Sequence, residues 1–174
     1  MNRRRALAAL AGVGLTGGSL WAASSGLLGG TTDDLPIRVE TLDAPGSEAG
    51  ATLVPTPERV TVVDLFATWC APCDEQVDIL DSVRGEYDGV SFVSVTNERP
   101  SESLTRADIA DWWAENDGAW TVGIDPGSEL MAAFGADGLP YVAIVDAEGT
   151  VQFEHGGLVD ADTLRTELDA VTDA

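Results

Sequence analysis

Two cysteines stand three positions apart in Trp69-Cys70-Ala71-Pro72-Cys73, and the chain has no others. A near-continuous run of β-branched and apolar residues, Arg59 to Ala67, precedes them. Helical spacing follows, with Val77, Leu80, Val83 or Arg84, and Tyr87 on one face. The pair therefore falls where a buried strand hands over to a helix. A helix N-terminus carries unpaired N–H groups and partial positive charge, which stabilise a thiolate. Cys70 is expected to be the more exposed and more acidic thiol. Cys73, one turn inside, is close enough to close a disulfide with it. Pro72 suits the first turn, where its missing N–H has no partner to lose. A CxxC beside a strand–helix–strand pattern reads as a redox pair, since a structural zinc would need four ligands. A purely stabilising crosslink is the plain alternative, but so short a loop removes little entropy from the unfolded chain.

Asp64 is the second residue with chemical potential. It is an acid inside the apolar run, six positions before Cys70. Burial disfavours the charged form, so its pKa is expected to rise. The plain alternative is a carboxylate tucked toward a surface loop.

The elements that must hold these residues follow from the pattern. Strands are predicted at Ile37–Leu42, Ala51–Val54, Arg59–Ala67, Val90–Thr96, Thr121–Asp125, Tyr141–Asp146 and Thr150–Glu154. Helices are predicted at Pro72–Tyr87, broken by Gly89; after Thr105, with a capping box to Asp108, stopped by Gly118; at Ser128–Phe134, closed by Gly135; and after Asp160. Strands alternating with helices imply an α/β domain with a parallel-rich sheet, to which the last hairpin adds antiparallel edges. Trp112, Trp113 and Trp120 are expected to pack the region between the fourth strand and that hairpin. No internal repeat and no second domain is visible.

The stretch Val63-Asp64-Leu65-Phe66-Ala67-Thr68-Trp69-Cys70-Ala71-Pro72-Cys73 and the later Gly138-Leu139-Pro140-Tyr141 resemble the thioredoxin superfamily. The helix and strand between residues 101 and 125 and the Asp146-Ala-Glu-Gly149 turn resemble its extracytoplasmic TlpA/ResA-like branch. The resemblance covers residues 37–172. It implies a thioredoxin-like fold with a mixed central sheet, an N-terminal strand extension and a central helix–strand insert. It also implies roles. Cys70 would be the attacking thiolate and Cys73 the resolving thiol. Pro140 would be cis, with the backbone of Leu139 open to an extended substrate. Trp69 would shield one side of the disulfide, core packing being its plain alternative. Thioredoxins of the cytosolic type place an Asp at the position of Asp64 to move the proton of the resolving Cys. The TlpA/ResA-like branch more often has Asn there and a Glu three residues after the second Cys, where this chain has Gln76. Asp64 is accordingly expected to be the general base for Cys73.

His155 is the only histidine. With Cys70 and Cys73 it could form a Cys₂His copper site of the kind found in metallochaperones of this fold, although those use a wider Cys spacing. A half-exposed strand residue is the plainer reading. No resident cofactor beyond the Cys70–Cys73 pair is expected. A peroxidase on the same fold is a third reading, and those enzymes lack this Trp-Cys-x-x-Cys arrangement.

Charge bounds the partners. Of 174 residues, 30 are Asp or Glu and only nine are basic, giving a net charge of −21. All nine are Arg; three sit at positions 3 to 5, where there are no acids. A body this acidic repels a phosphate backbone, so nucleic-acid binding is excluded as a main function. The acids run from residue 33 to 173 without clustering, a composition that resembles halophilic archaeal proteins. At 1 M salt a Debye length of about 3 Å screens their repulsion.

Arg3, Arg4 and Arg5 followed by the uncharged stretch 6–28 read as a twin-arginine-type signal or anchor over residues 1–30. The stretch is long enough to remain as a membrane tether, and Ala22-Ala23-Ser24 offers small residues for cleavage. No Cys is present there for lipid attachment. Residues 31–36 read as a linker and 37–174 as the domain. The function expected is thiol–disulfide oxidoreduction outside the cytoplasmic membrane. A protein-disulfide reductase is favoured, with apocytochrome c thiols or other exported proteins as substrates. It would be monomeric, and reduced by a membrane electron donor.

Overall fold

Seven strands alternate with four helices in this computed structural model, which describes residues 34–172. The signal or anchor over 1–30, the tether over 6–28 and residues 31–33 of the 31–36 linker lie outside the described residues. The strands are β1 (Ile37–Thr41), β2 (Gly50–Val54), β3 (Thr61–Phe66), β4 (Ser91–Thr96), β5 (Thr121–Ile124), β6 (Tyr141–Val145) and β7 (Val151–Gly156). The helices are α1 (Ala71–Arg84), α2 (Arg106–Glu115), α3 (Glu129–Phe134) and α4 (Ala161–Thr172). One sheet joins all strands in the order β2-β1-β5-β4-β3-β6-β7. This is the thioredoxin-like α/β architecture, with β1 and β2 as the N-terminal extension and α2–β5 as the insert.

Only β3, β4 and β5 run parallel; every other pairing is antiparallel. The sheet is thus mixed rather than parallel-rich, and α3 supplies the reason. Six residues rise only about 9 Å as a helix. The chain therefore stays at the pole where β5 ends and re-enters the sheet from there. Leu65 in β3 consequently pairs with Tyr141 in β6. That register sets Pro140 beside the segment leading from β3 to the cysteines.

β3 is buried along its whole length, as its unbroken apolar run predicts for a central strand. Its alternation divides two cores. Val62 and Phe66 face a layer containing Cys73, Val77, Leu80, Trp113, Trp120, Leu164 and Leu168. Val63 and Leu65 face one containing Val39, Val93, Val95, Leu130 and Phe134. Asp64 stands between Val62 and Phe66, on the α1 face.

Several boundaries shift for local reasons. α1 ends at Arg84 with Gly85 as its cap, four residues before the expected breaker Gly89. Tyr87 leaves the helix and binds α4, its hydroxyl donating to the Asp169 carboxylate at 2.8 Å. The Thr105–Asp108 capping box forms as read from the sequence, and Asp160 caps α4 by accepting the Thr163 N–H at 2.9 Å. The aromatic insert packs as expected: Phe66 stacks on Trp112 at 5.0 Å, and Trp113 meets Trp120 edge-on at 4.8 Å. Gly118 does not stop α2, which ends at Glu115. Its role is steric: a Cβ at Gly118 would run into the Trp113 indole.

Candidate functional site

Cys70 is the N-cap of α1, with Ala71 and Pro72 opening the first turn. It accepts the N–H of Cys73 at 2.9 Å through its carbonyl, and its own N–H donates to Ala67 at 3.0 Å. The β3–α1 connection is thus a tight turn that delivers Cys70 to the helix end. Cys70 and Cys73 are joined by a disulfide, with Cα atoms 5.3 Å apart. Cys70 is 4% exposed and Cys73 fully buried. Cys70 is the more exposed of the two, but both are buried in this oxidised form.

Trp69 is 73% exposed, which rules out core packing and leaves it standing at the rim beside Cys70. The Leu139–Pro140 peptide is cis, as the family resemblance implies. Leu35–Pro36 and Val54–Pro55 are also cis, for which the sequence offered no signal. The Pro140 carbonyl accepts the Gly157 N–H at 2.8 Å, joining the start of β6 to the turn after β7. Leu139 is half-buried and Leu158 is 39% exposed.

Asp64 is 1% exposed, so the surface-loop alternative is excluded. Desolvation pushes its pKa up to about 7, while a hydrogen bond from Ser94 acts in the opposite direction. That bond runs from Ser94 Oγ to Asp64 Oδ2 at 2.8 Å. Oδ1 is buried and has no hydrogen-bond partner. An open acceptor on a carboxyl titrating near neutrality, on the sheet face that packs α1, is equipped to take a proton.

Gln76, at the position where the TlpA/ResA-like branch has Glu, is fully buried and serves structure. Its Oε1 accepts the Val159 N–H at 2.9 Å and its Nε2 donates to the Val159 carbonyl at 3.3 Å. The sequence reading missed Glu98 altogether. Its carboxylate accepts the Thr68 N–H and the Thr68 hydroxyl, each at 2.8 Å, and the Thr96 hydroxyl at 3.0 Å. Glu98 thereby ties the end of β4 to the residue before Trp69. Nothing in its sequence context, Thr96-Asn97-Glu98-Arg99, signals a fold-back onto residue 68.

His155 is not brought to the sulfurs. It is exposed on β7, where its ring stacks on Phe153 at 6.3 Å. Among the described residues no group of three or more His, Cys, Asp or Glu side chains could hold a metal ion. The copper reading lacks its third ligand.

Redoxin is the family whose pattern matches, over residues 36–171. The chain belongs to the Redoxin family. The thiol:disulfide interchange protein HelX of Rhodobacter capsulatus is 25% identical over 135 residues, spanning 76% of this chain and 71% of HelX. The thiol-disulfide oxidoreductase ResA of Bacillus thuringiensis is 23% identical over 112 residues, 63% of this chain and 62% of ResA. A crystal structure of a DsbF homologue from Corynebacterium diphtheriae superposes with a TM-score of 0.64 at 21% identity, covering 78% of this chain and 84% of that one. That likeness establishes the fold. Family, relatives and the Cys70–Cys73 disulfide together make this chain a thiol–disulfide oxidoreductase.

Proposed function

We propose that this chain is a protein-disulfide reductase working outside the cytoplasmic membrane through Cys70 and Cys73. The observation that carries the reading is the disulfide at the N-terminus of α1, with the cis Leu139–Pro140 peptide placed by the β3–β6 register at the end of β3 that leads to it. In the reduced protein the Cys70 thiolate, stabilised by the helix end, attacks one sulfur of a substrate disulfide. The substrate S–S bond breaks, a mixed disulfide forms, and one substrate thiolate leaves. Cys73 then gives its proton to Asp64 and attacks the Cys70 sulfur. The Cys70–Cys73 bond forms and the second substrate thiolate departs. Two electrons have passed from the cysteine pair to the substrate, and a dithiol donor at the membrane restores the reduced pair.

Trp69 and Leu139 offer the surface on which the substrate segment rests, with Pro140 buried behind Leu139. The backbone of Leu139 is the natural edge for an extended peptide. Exported proteins, including apocytochrome c, are the substrate class, and the uncharged stretch 6–28 directs or tethers the chain at the membrane. No helix among the described residues is long and apolar enough to cross a membrane. The dispersed acidity suits concentrated salt, and the chain works as a monomer.

A thiol redox titration of the full chain in molar KCl tests the direction. A two-electron couple near about −270 mV supports the reductase, whereas one near about −120 mV makes the chain an oxidant and overturns it.

A further inference from the structure

A chain of side-chain contacts runs from the surface to the buried carboxyl of Asp64, and the exchange chemistry above uses only its last member. Arg84, at the end of α1, lies over the Trp120 ring with its guanidinium carbon 5.5 Å from the ring centroid. Trp120 is 6% exposed, and its indole N–H donates to Ser94 Oγ at 3.0 Å. The Ser94 hydroxyl, itself fully buried, donates in turn to Asp64 Oδ2 at 2.8 Å.

The direction of each bond is fixed by chemistry. Indole N–H is a donor only, so Ser94 must accept from it and is left to give its own proton onward. Successive donors of this kind polarise one another in a low-dielectric interior. Strand register enforces the last contact, since Ser94 pairs directly with Asp64 across β3 and β4. The edge-on contact of Trp113 with Trp120 holds the indole in place.

We propose that Trp120 and Ser94 are positioning residues for thiol exchange: they fix one oxygen of Asp64 and leave the other as its single open proton acceptor. This rests on Asp64 being the base for Cys73. Oδ2 is occupied by Ser94 and Oδ1 is unpartnered, so a proton arriving from the α1 side has one place to go. The Ser94 bond also favours the ionised carboxylate, which opposes the desolvation that would otherwise hold Asp64 protonated.

The groups facing Asp64 are few. Ser94 of β4 and Val142 of β6 flank it in the sheet, Val142 without charge, and Cys73 of α1 lies in the core layer on the same sheet face. Arg84, which lies over the Trp120 ring, is ion-paired with Asp81 at 2.8 Å.

The test is carboxyl-carbon NMR titration of Asp64 in the reduced full chain, alongside the pH profile of disulfide exchange. Ser94→Ala should raise the Asp64 midpoint by about half to one pH unit, a three- to tenfold gain in proton affinity. The carboxyl limb of the rate profile should move with it. Ser94→Thr, which keeps the hydroxyl, should restore both. Trp120→Phe, which keeps an aromatic ring but loses the N–H, should shift the midpoint in the same direction by less. An unmoved midpoint in Ser94→Ala overturns the proposal while leaving Asp64 as base. A midpoint that moves in Ser94→Ala while its rate profile stays fixed, together with an unchanged rate profile in Asp64→Asn, overturns the base assignment and this role with it.

Discussion

The side-chain amide of Gln76 holds both backbone polar groups of Val159, accepting its N–H at 2.9 Å and donating to its carbonyl at 3.3 Å. A carboxylate could make only the first of these bonds, because it has no proton to donate. Gln at this position therefore fastens the turn after β7, whose Gly157 N–H reaches the Pro140 carbonyl, to the second turn of α1.

Gln76→Ala should lower stability by about 2–3 kcal/mol, because it strands a buried donor and acceptor. Gln76→Glu should be closer to wild type at low pH and fall behind as pH rises. Its carboxyl must keep a proton to serve the Val159 carbonyl, so its folded pKa is raised and the stability is lost on ionisation. Urea unfolding at pH 5 and pH 8 reads both. A Gln76→Ala midpoint equal to wild type would remove the clamp from the account.

Glu98 prepares the other side of the site. By accepting both the N–H and the hydroxyl of Thr68, it fixes the residue two before Cys70. Glu98→Gln replaces one acceptor oxygen with an NH₂ group, which cannot accept from Thr68. Exchange should slow roughly tenfold through misplacement of the Trp69–Cys70 turn, with a smaller change in unfolding midpoint. Stopped-flow reduction of a disulfide peptide measures the rate. Equal rates for Glu98→Gln and wild type would show that Thr68 needs no such tether.

The residues proposed to carry the chemistry were legible because they are local. The helix start at Cys70, the unbroken apolar run of β3 and the acid within it are neighbours in sequence. The cis Pro140 was legible only through family resemblance, since no residue near it dictates the isomer. What sequence could not supply was contact between distant strands. Ser94 reads as an ordinary polar residue until register sets it opposite Asp64. Glu98 reads as a loop acid until it meets Thr68. His155 reads from the sequence more plainly as a strand residue than as a ligand of the cysteines, and pairing with Val142 places it on β7 beside Phe153.

Gly118 illustrates how close packing constrains the insert. The Trp113 indole occupies the space a Cβ would need, and it is held between Phe66 and Trp120. Gly118→Ala should cost about 1–3 kcal/mol by overpacking. Gly89→Ala, where nothing lies within 4 Å of the added carbon, should stay within about 0.5 kcal/mol. Paired denaturant titrations decide it, and equal effects at the two positions would mean the aromatic insert yields freely.

Asp64 should leave a pH signature on the stability of the oxidised protein. Its ordinary carboxyl pKa of 3.8 applies when the chain is unfolded, and burial raises it to about 7 in the fold. Between these values the unfolded chain releases the proton while the folded chain keeps it. Stability is therefore full below about pH 4, falls as pH rises toward 7, and takes no further loss from this group above that. The span corresponds to on the order of 4 kcal/mol. Asp64→Asn has no proton to lose, so it should overtake wild type progressively from acid to neutral pH and hold a constant lead at pH 8. Denaturant titrations of both proteins from pH 4 to pH 8 give the difference curve. Parallel curves would mean that the carboxyl ionises in the fold at its ordinary pKa, and the base reading would lose its physical footing.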